Sequence, residues 1–234
     1  TFNQRYNISV SGGGEKVQYY VAGNYSKDSG ILKRDKMNNF DNNININRYQ
    51  VRSNTTMNFG KLTKATVRVN ASFNDYSGPL DGGTKLYNMA LKASPVLFHP
   101  YYAKTEEFKY VKHVMFGNYE KDNLYLNPYA QMVRGFKESK EATVAAQIEL
   151  EQDFKFITEG LKGRAMVNTN RYSYFDSQRE FVPYYYAGYR NLEGEFSLLP
   201  LNEDKGKDYL DYSGGDKKVS SSLYLEAQLS YAKK

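Results

Sequence analysis

Ala65-Thr66-Val67-Arg68-Val69-Asn70-Ala71-Ser72-Phe73-Asn74 alternates apolar and polar side chains without an error. A period of two puts Ala65, Val67, Val69, Ala71 and Phe73 on one face of an extended strand and the polar residues on the other, as in a sheet with unlike surroundings on its two sides. Upstream, across a turn at Gly60 to Lys64, Tyr49, Val51, Ser53, Thr55, Met57 and Phe59 alternate with Arg48, Gln50, Arg52, Asn54, Thr56 and Asn58. The two stretches read as a hairpin, and the apolar face of its first strand is aromatic at both ends.

The same period recurs along the chain. Tyr6, Ile8 and Val10 run into Gly12, Gly13 and Gly14, which supply the backbone angles of a tight turn, and Val17, Tyr19, Val21, Gly23 and Tyr25 return. Ala142, Val144, Ala146, Ile148, Leu150 and Phe154 alternate with Thr143, Gln147, Glu149, Glu151 and Asp153, interrupted on the apolar face by Gln152. Leu161, Gly163, Ala165 and Val167 follow, set against Lys162, Arg164, Met166 and Asn168. With Phe154 opposite Leu161, Asp153 meets Lys162 and Glu151 meets Arg164, which predicts ion pairs at both places. A seventh strand runs from Val219 to Tyr231, with Leu223, Leu225, Ala227, Leu229 and Tyr231 on one face.

Connections are short after Val10, Phe59 and Phe154, and long after Tyr25, Phe73 and Tyr172. Outer-membrane barrels sort their connections this way, with tight periplasmic turns and long extracellular loops. Strands of about 11 to 16 residues exceed the ~5 or 6 usual in globular sheets and reach the ~9 to 11 needed to cross a bilayer at a tilt. No apolar run approaches the roughly 18 residues of a spanning helix. The fold expected is therefore all-β: part of an antiparallel transmembrane β-barrel, about seven strands in hairpins, with long extracellular loops, and residues 1–234 belonging to that one barrel domain. Composition agrees: 23 Tyr and 13 Phe suit membrane interfaces, and a barrel's mean hydropathy is low because lumen-facing residues alternate with lipid-facing ones. The absence of Cys removes disulfides and thiolate metal sites. The net charge of +6 is spread among interleaved acids and bases, which argues against nucleic acid. Thr1 is followed by no charged and then apolar leader, so an exported protein is expected to present a mature or internal portion here.

Several words of the sequence resemble the SusC/RagA group of TonB-dependent transporters: Asn7-Ile8-Ser9-Val10-Ser11-Gly12-Gly13, Lys16-Val17-Gln18-Tyr19-Tyr20-Val21, Ser29-Gly30-Ile31-Leu32 and Asn47-Arg48-Tyr49-Gln50-Val51-Arg52-Ser53-Asn54. A weaker echo lies in Asn127-Pro128-Tyr129-Ala130 and Gly160-Leu161-Lys162-Gly163-Arg164. The resemblance implies a 22-stranded barrel in a Gram-negative outer membrane, plugged by an N-terminal domain, with a SusD-like surface lipoprotein as lid and TonB delivering energy. It implies import of a large nutrient, an oligosaccharide or oligopeptide. The chain itself carries neither plug nor TonB-contact segment, and about seven strands leave two open edges that lipid does not tolerate, so it reads as part of a larger polypeptide. A passive porin or surface adhesin barrel shares the strand pattern, and a soluble extracellular glycan-binding β-sandwich is the third alternative.

No catalytic constellation, cofactor motif or metal site emerges, and an enzyme is not expected. His99 and His113 read as ordinary surface histidines, and Gly12 to Gly14 as a hairpin turn with no helix behind it to cradle phosphate. Arg48, Arg52, Arg68, Glu149, Glu151 and Arg164 read as lumen-facing wall charges that balance one another or a plug. Binding is carried by the loops. The first, Asp75 to about Glu141, holds a helical pattern at Thr84 to Lys92 with Leu86, Met89 and Ala90 at helical spacing, then Tyr101 and Tyr102. The second, Ser173 to Lys218, holds Tyr184, Tyr185, Tyr186 and Tyr189. These six tyrosines are the candidate substrate contacts, since exposed aromatic rings stack on sugars or peptide side chains; the alternative is that they pack the loops.

Overall fold

The computed structural model describes residues 3–35, 38–120, 125 and 127–232; Thr1 lies outside them. Along the chain run β1 (Gln4–Gly13), β2 (Val17–Ser29), β3 (Asn45–Phe59) and β4 (Thr63–Gly78), then α1 (Gly82–Lys92), β5 (Tyr101–Tyr102), β6 (Met115–Gly117) and α2 (Pro128–Val133). After these come β7 (Gly135–Asp153), β8 (Leu161–Val182), β9 (Tyr184–Arg190), β10 (Phe196–Pro200) and β11 (Lys207–Tyr231). β1, β2, β3, β4, β7, β8 and β11 form, in that order, one seven-stranded antiparallel sheet, so each of the seven alternating segments is a strand of it. β10, β9, β6 and β5 form a second, small sheet in which β6 and β9 are parallel.

Register follows from the alternation. Tyr6 lies opposite Tyr25, Tyr25 opposite Tyr49 and Tyr49 opposite Phe73, so four aromatic residues line up across β1 to β4. Their rings stack at 6.2 Å (Tyr6–Tyr25) and 5.0 Å (Tyr25–Tyr49). Asp153 does face Lys162 and Glu151 does face Arg164. The tight turns, at 14–16, 60–62 and 154–160, all fall at one end of the sheet, and the long connections at the other. At the first turn, a Cβ on Gly13 would come within 2.6 Å of Gln18 Cα, so the returning strand leaves no room for a side chain. Gly13 and not Gly12 or Gly14 has the positive φ there.

The strands run further than the hydrophobic pattern. β7 begins at Gly135, β8 continues to Val182 and β11 begins at Lys207, so the end of the expected loop 75–141 and both ends of 173–218 are strand. Beyond the Tyr6–Tyr25–Tyr49–Phe73 row the same face carries Gln4, Lys27, Asn47, Asp75 and Lys140. Both faces are then polar, so the period-two contrast vanishes while the backbone ladder continues. α1 matches the helical pattern and starts two residues before it; Leu86 and Met89 are buried, whereas Ala90 is exposed. Neither helix is long and apolar enough to cross a membrane, which says nothing of strands.

The buried core lies outside the large sheet. Phe116, Ala130, Val133, Tyr185 and Leu201 form one cluster, joined by Phe181 at the far end of β8, and Met115, Tyr186 and Leu198 form another. Both lie in the small sheet, α2 and the neighbouring connections at the long-connection end. Among the described residues no second layer covers the apolar face of the large sheet: Ile8 is 71% exposed, Ile148 56% and Leu225 66%, with Val67 and Val69 partly buried.

Candidate functional site

Buried asparagines organise the layer of long connections. Asn127 caps α2 by accepting from the Ala130 N–H at 3.1 Å, and its amide donates to the carbonyls of Pro100 (2.8 Å) and Gly117 (2.9 Å). Pro128 follows at the first helical turn, where its missing N–H costs nothing. Asn118 accepts from the N–H groups of Tyr119 and Tyr125 and donates to the Tyr125 carbonyl. Asn202 accepts from Tyr185 N–H and donates to the Pro183 carbonyl, and Asn42 and Asn43 tie the 30–44 connection in the same way. Each amide stands in for a peptide group where irregular backbone cannot pair with itself, which is what a buried connection requires.

On this frame the six candidate tyrosines divide. Tyr186 (1% exposed) and Tyr185 are core residues, and burial pushes both phenols up from their ordinary value. They pack the loops and present no ring to a ligand. Tyr184 and Tyr102 are half-buried: Tyr184 stacks on His113 with centroids 3.7 Å apart, and Tyr102 lies between His99 and Phe196 at 5.7 and 5.9 Å. Tyr101 and Tyr189 are exposed. Tyr101 leans on Tyr129, whose hydroxyl donates to Asp35 at 2.7 Å; burial and then that hydrogen bond push the Tyr129 phenol up.

His113 is not an ordinary surface histidine. Besides the stack on Tyr184, its Nε2 lies 2.9 Å from the Tyr186 hydroxyl. Burial lowers its pKa from 6.5, against the opposing pull of Asp208 and Glu203 and with help from Lys104. A cleft of about 290 Å³ opens beside it, lined by His113, Tyr184, Phe116, Phe181, Lys207 and Asp208 among others. An aromatic wall with two lysines, Lys112 and Lys207, and one carboxylate, Asp208, suits a polar ring or a peptide side chain. No group of three or more His, Cys, Asp or Glu able to hold a metal occurs among the described residues.

The polar face of the large sheet carries the second set of candidates. Arg68 meets Glu149 at 2.7 Å, Arg164 meets Glu149 at 3.0 Å and Glu226 at 3.2 Å, and Lys64 meets Glu151 at 3.0 Å. Gln147 donates to Glu149 and the Tyr224 hydroxyl to Glu226, so one lattice ties β4, β7, β8 and β11 together. The ion pairs expected from register, Glu151–Arg164 and Asp153–Lys162, do not form: Arg164 takes the diagonal Glu149 and Glu226, Glu151 takes Lys64 directly opposite on β4, and Asp153 accepts from the Lys155 N–H. Glu149 faces Thr66 and Met166, neither of them a cation, and draws Arg68 and Arg164 from adjacent rows, while Lys64 on the opposite neighbouring strand satisfies Glu151. Arg48 pairs with Asp28 at 2.6 Å. Arg52 makes no ion pair among the described residues and sits among Asn24, Gln50, Asn54 and Asn70.

The buried asparagines and the role of His113 escaped the sequence reading. Asn127-Pro128 carries the cap-then-proline signal of a helix start; the others have no local signature. No protein-family model matches this chain, and no curated protein matches it.

Proposed function

We propose that this chain is part of the β-barrel of an outer-membrane transporter that imports a large nutrient, an oligosaccharide or oligopeptide, through a plugged, TonB-driven pore beneath a SusD-like lipoprotein. The observation that supports the reading is an apolar sheet face left without a covering layer among the described residues, in a chain that builds a buried core elsewhere. Fully burying a large aliphatic or aromatic side chain is worth roughly 1.5 to 3 kcal/mol, and water does not reward a continuous face of them. Hydrocarbon does. The face also has the dimensions of a bilayer. Tyr49 and Phe59, its aromatic ends on β3, are ten residues apart, roughly 33 Å along the strand and about 25 Å in height at a tilt near 40°.

Other features support the same reading. The edges of the sheet, β1 and β11, each have one partner strand among the described residues, as part of a larger closed wall would. The opposite face is a polar wall of amides and ion pairs, suited to a lumen. The long connections form a structured layer at one end, where Tyr101, Tyr189 and the His113 cleft offer rings to an incoming ligand. Transport under TonB, and the lipoprotein lid, rest on the resemblance to SusC/RagA proteins.

Expression of the complete polypeptide tests this in two steps. The protein should stay with membranes through alkaline carbonate and require detergent for monodispersity; a species monodisperse in plain buffer would sink the barrel. Uptake of a fluorescent oligosaccharide or oligopeptide mixture should stop when a protonophore collapses the proton-motive force. Uptake that persists would replace active import by a passive porin.

A further inference from the structure

Among the outward, apolar-face positions from the Tyr6–Tyr25–Tyr49–Phe73 row down to the tight turns, one described residue is charged. Arg171 on β8 lies opposite Val144 and Ser221, a row inside the aromatic one. Two rows further toward the loops the same face carries Lys140, Phe175 and Lys217 side by side on β7, β8 and β11. All four residues are exposed, and none of the three cations makes an ion pair or a side-chain hydrogen bond with any described residue. Lys140 and Lys217 stand roughly 10 Å apart across β8, and Arg171 lies roughly 13 Å below Phe175 along the strand. An arginine side chain is long enough to lay its apolar stem along the next row, Ala142, Ser173 and Val219, and bring its guanidinium toward the lysines.

We propose that Arg171, Lys140 and Lys217 form an outward-facing seat for the phosphate of an anionic lipid headgroup in the leaflet at the long-connection end, with Phe175 against the upper acyl chains. The inference rests on the membrane reading above. Two carboxylates share the face: Asp75 lies beside Lys140 in its row, and Glu138 one row higher; neither approaches Arg171 or Lys217. Asp216, in the bulge next to Lys217, is taken by Lys218 at 3.2 Å. Three cations therefore meet a bilayer with one adjacent acid, and a phosphate at the aromatic level is the group of complementary charge that a bilayer places there.

The test uses the complete polypeptide in phosphatidylcholine nanodiscs, titrated with phosphatidylglycerol and read by native mass spectrometry. The protein should retain phosphatidylglycerol over phosphatidylcholine, and R171Q should weaken that preference roughly fivefold. The variant lacking all three cations (R171Q, K140Q, K217Q) should abolish the preference, and R171K should keep most of it. Removing a charge from a lipid-facing position does not endanger assembly. K64Q, which deletes a cation on the opposite face, should change nothing. A bilayer-inserted protein with no preference, or one whose preference falls equally in K64Q, overturns the seat alone. A protein that never enters the nanodisc overturns the membrane reading together with it.

Discussion

Gln147 and Ile148 are consecutive residues whose side chains leave β7 in opposite directions, Gln147 toward Glu149 and the ion-pair lattice, Ile148 onto the uncovered face. Their tolerance of charge should differ accordingly. Ile148→Arg should impair assembly by roughly 2 to 4 kcal/mol if the position lies near the bilayer midplane, whereas Gln147→Arg gains Glu149 as a partner and should assemble normally. Folding into detergent micelles, followed by heat-modifiable gel mobility, separates the two; equal effects would count against the assigned faces. His113 makes a prediction of opposite character. Its lowered pKa means that the native loop layer holds fewer protons than the unfolded chain, so the stability it contributes is present above about pH 6.5 and is lost as pH falls toward the depressed native value. Amide exchange at Met115–Gly117 and Tyr184–Arg190 should quicken between pH 7.5 and 5 beyond the intrinsic trend, and His113→Phe, which keeps a stacking ring, should flatten that excess.

At the level of elements, α2 and the strands around Glu149 are held by different forces. α2 is a six-residue helix, too short to persist alone, and depends on Asn127 for its cap and for two links to neighbouring connections. Asn127→Ala deletes the cap and the amide's bond to the buried Gly117 carbonyl, while the Pro100 carbonyl keeps the Gly117 N–H; the cost of about 2 to 4 kcal/mol should show as faster exchange throughout the loop layer while the large sheet stays protected. Glu149 joins β4 to β8 through two guanidinium groups that are partly in solvent. Glu149→Ala should cost about 1 to 2 kcal/mol in the denaturant midpoint, and its combination with Arg68→Ala should cost less than the sum of the single changes because both break the same contact.

In the whole molecule the two layers divide the work of folding. The large sheet contributes register and length and leaves its apolar face open, whereas the connections supply the packed core. Local alternation made the large sheet legible in the sequence: Ala65 to Asn74 and Ala142 to Phe154 carry their faces, their neighbours and the ends of their tight turns in the order of their residues. What was not legible depends on segments far apart along the chain. Tyr184, Tyr185 and Tyr186 are one chemical type in a row, yet a half-buried stack and two core positions result, because Met115 to Gly117 arrives alongside from nearly 70 residues earlier. Glu149 draws Arg68 and Arg164, which face its neighbours Gln147 and Glu151, because charge is shared across four strands, while a hairpin has only two. The sequence by itself determined that this is an antiparallel sheet with one apolar and one polar side, since side-chain direction in a strand is fixed by the residue's own place in the alternation. Only the tertiary structure decided which loop rings are buried and which cations stay unpaired, since those outcomes depend on which distant side chains and backbone carbonyls come within a few ångströms.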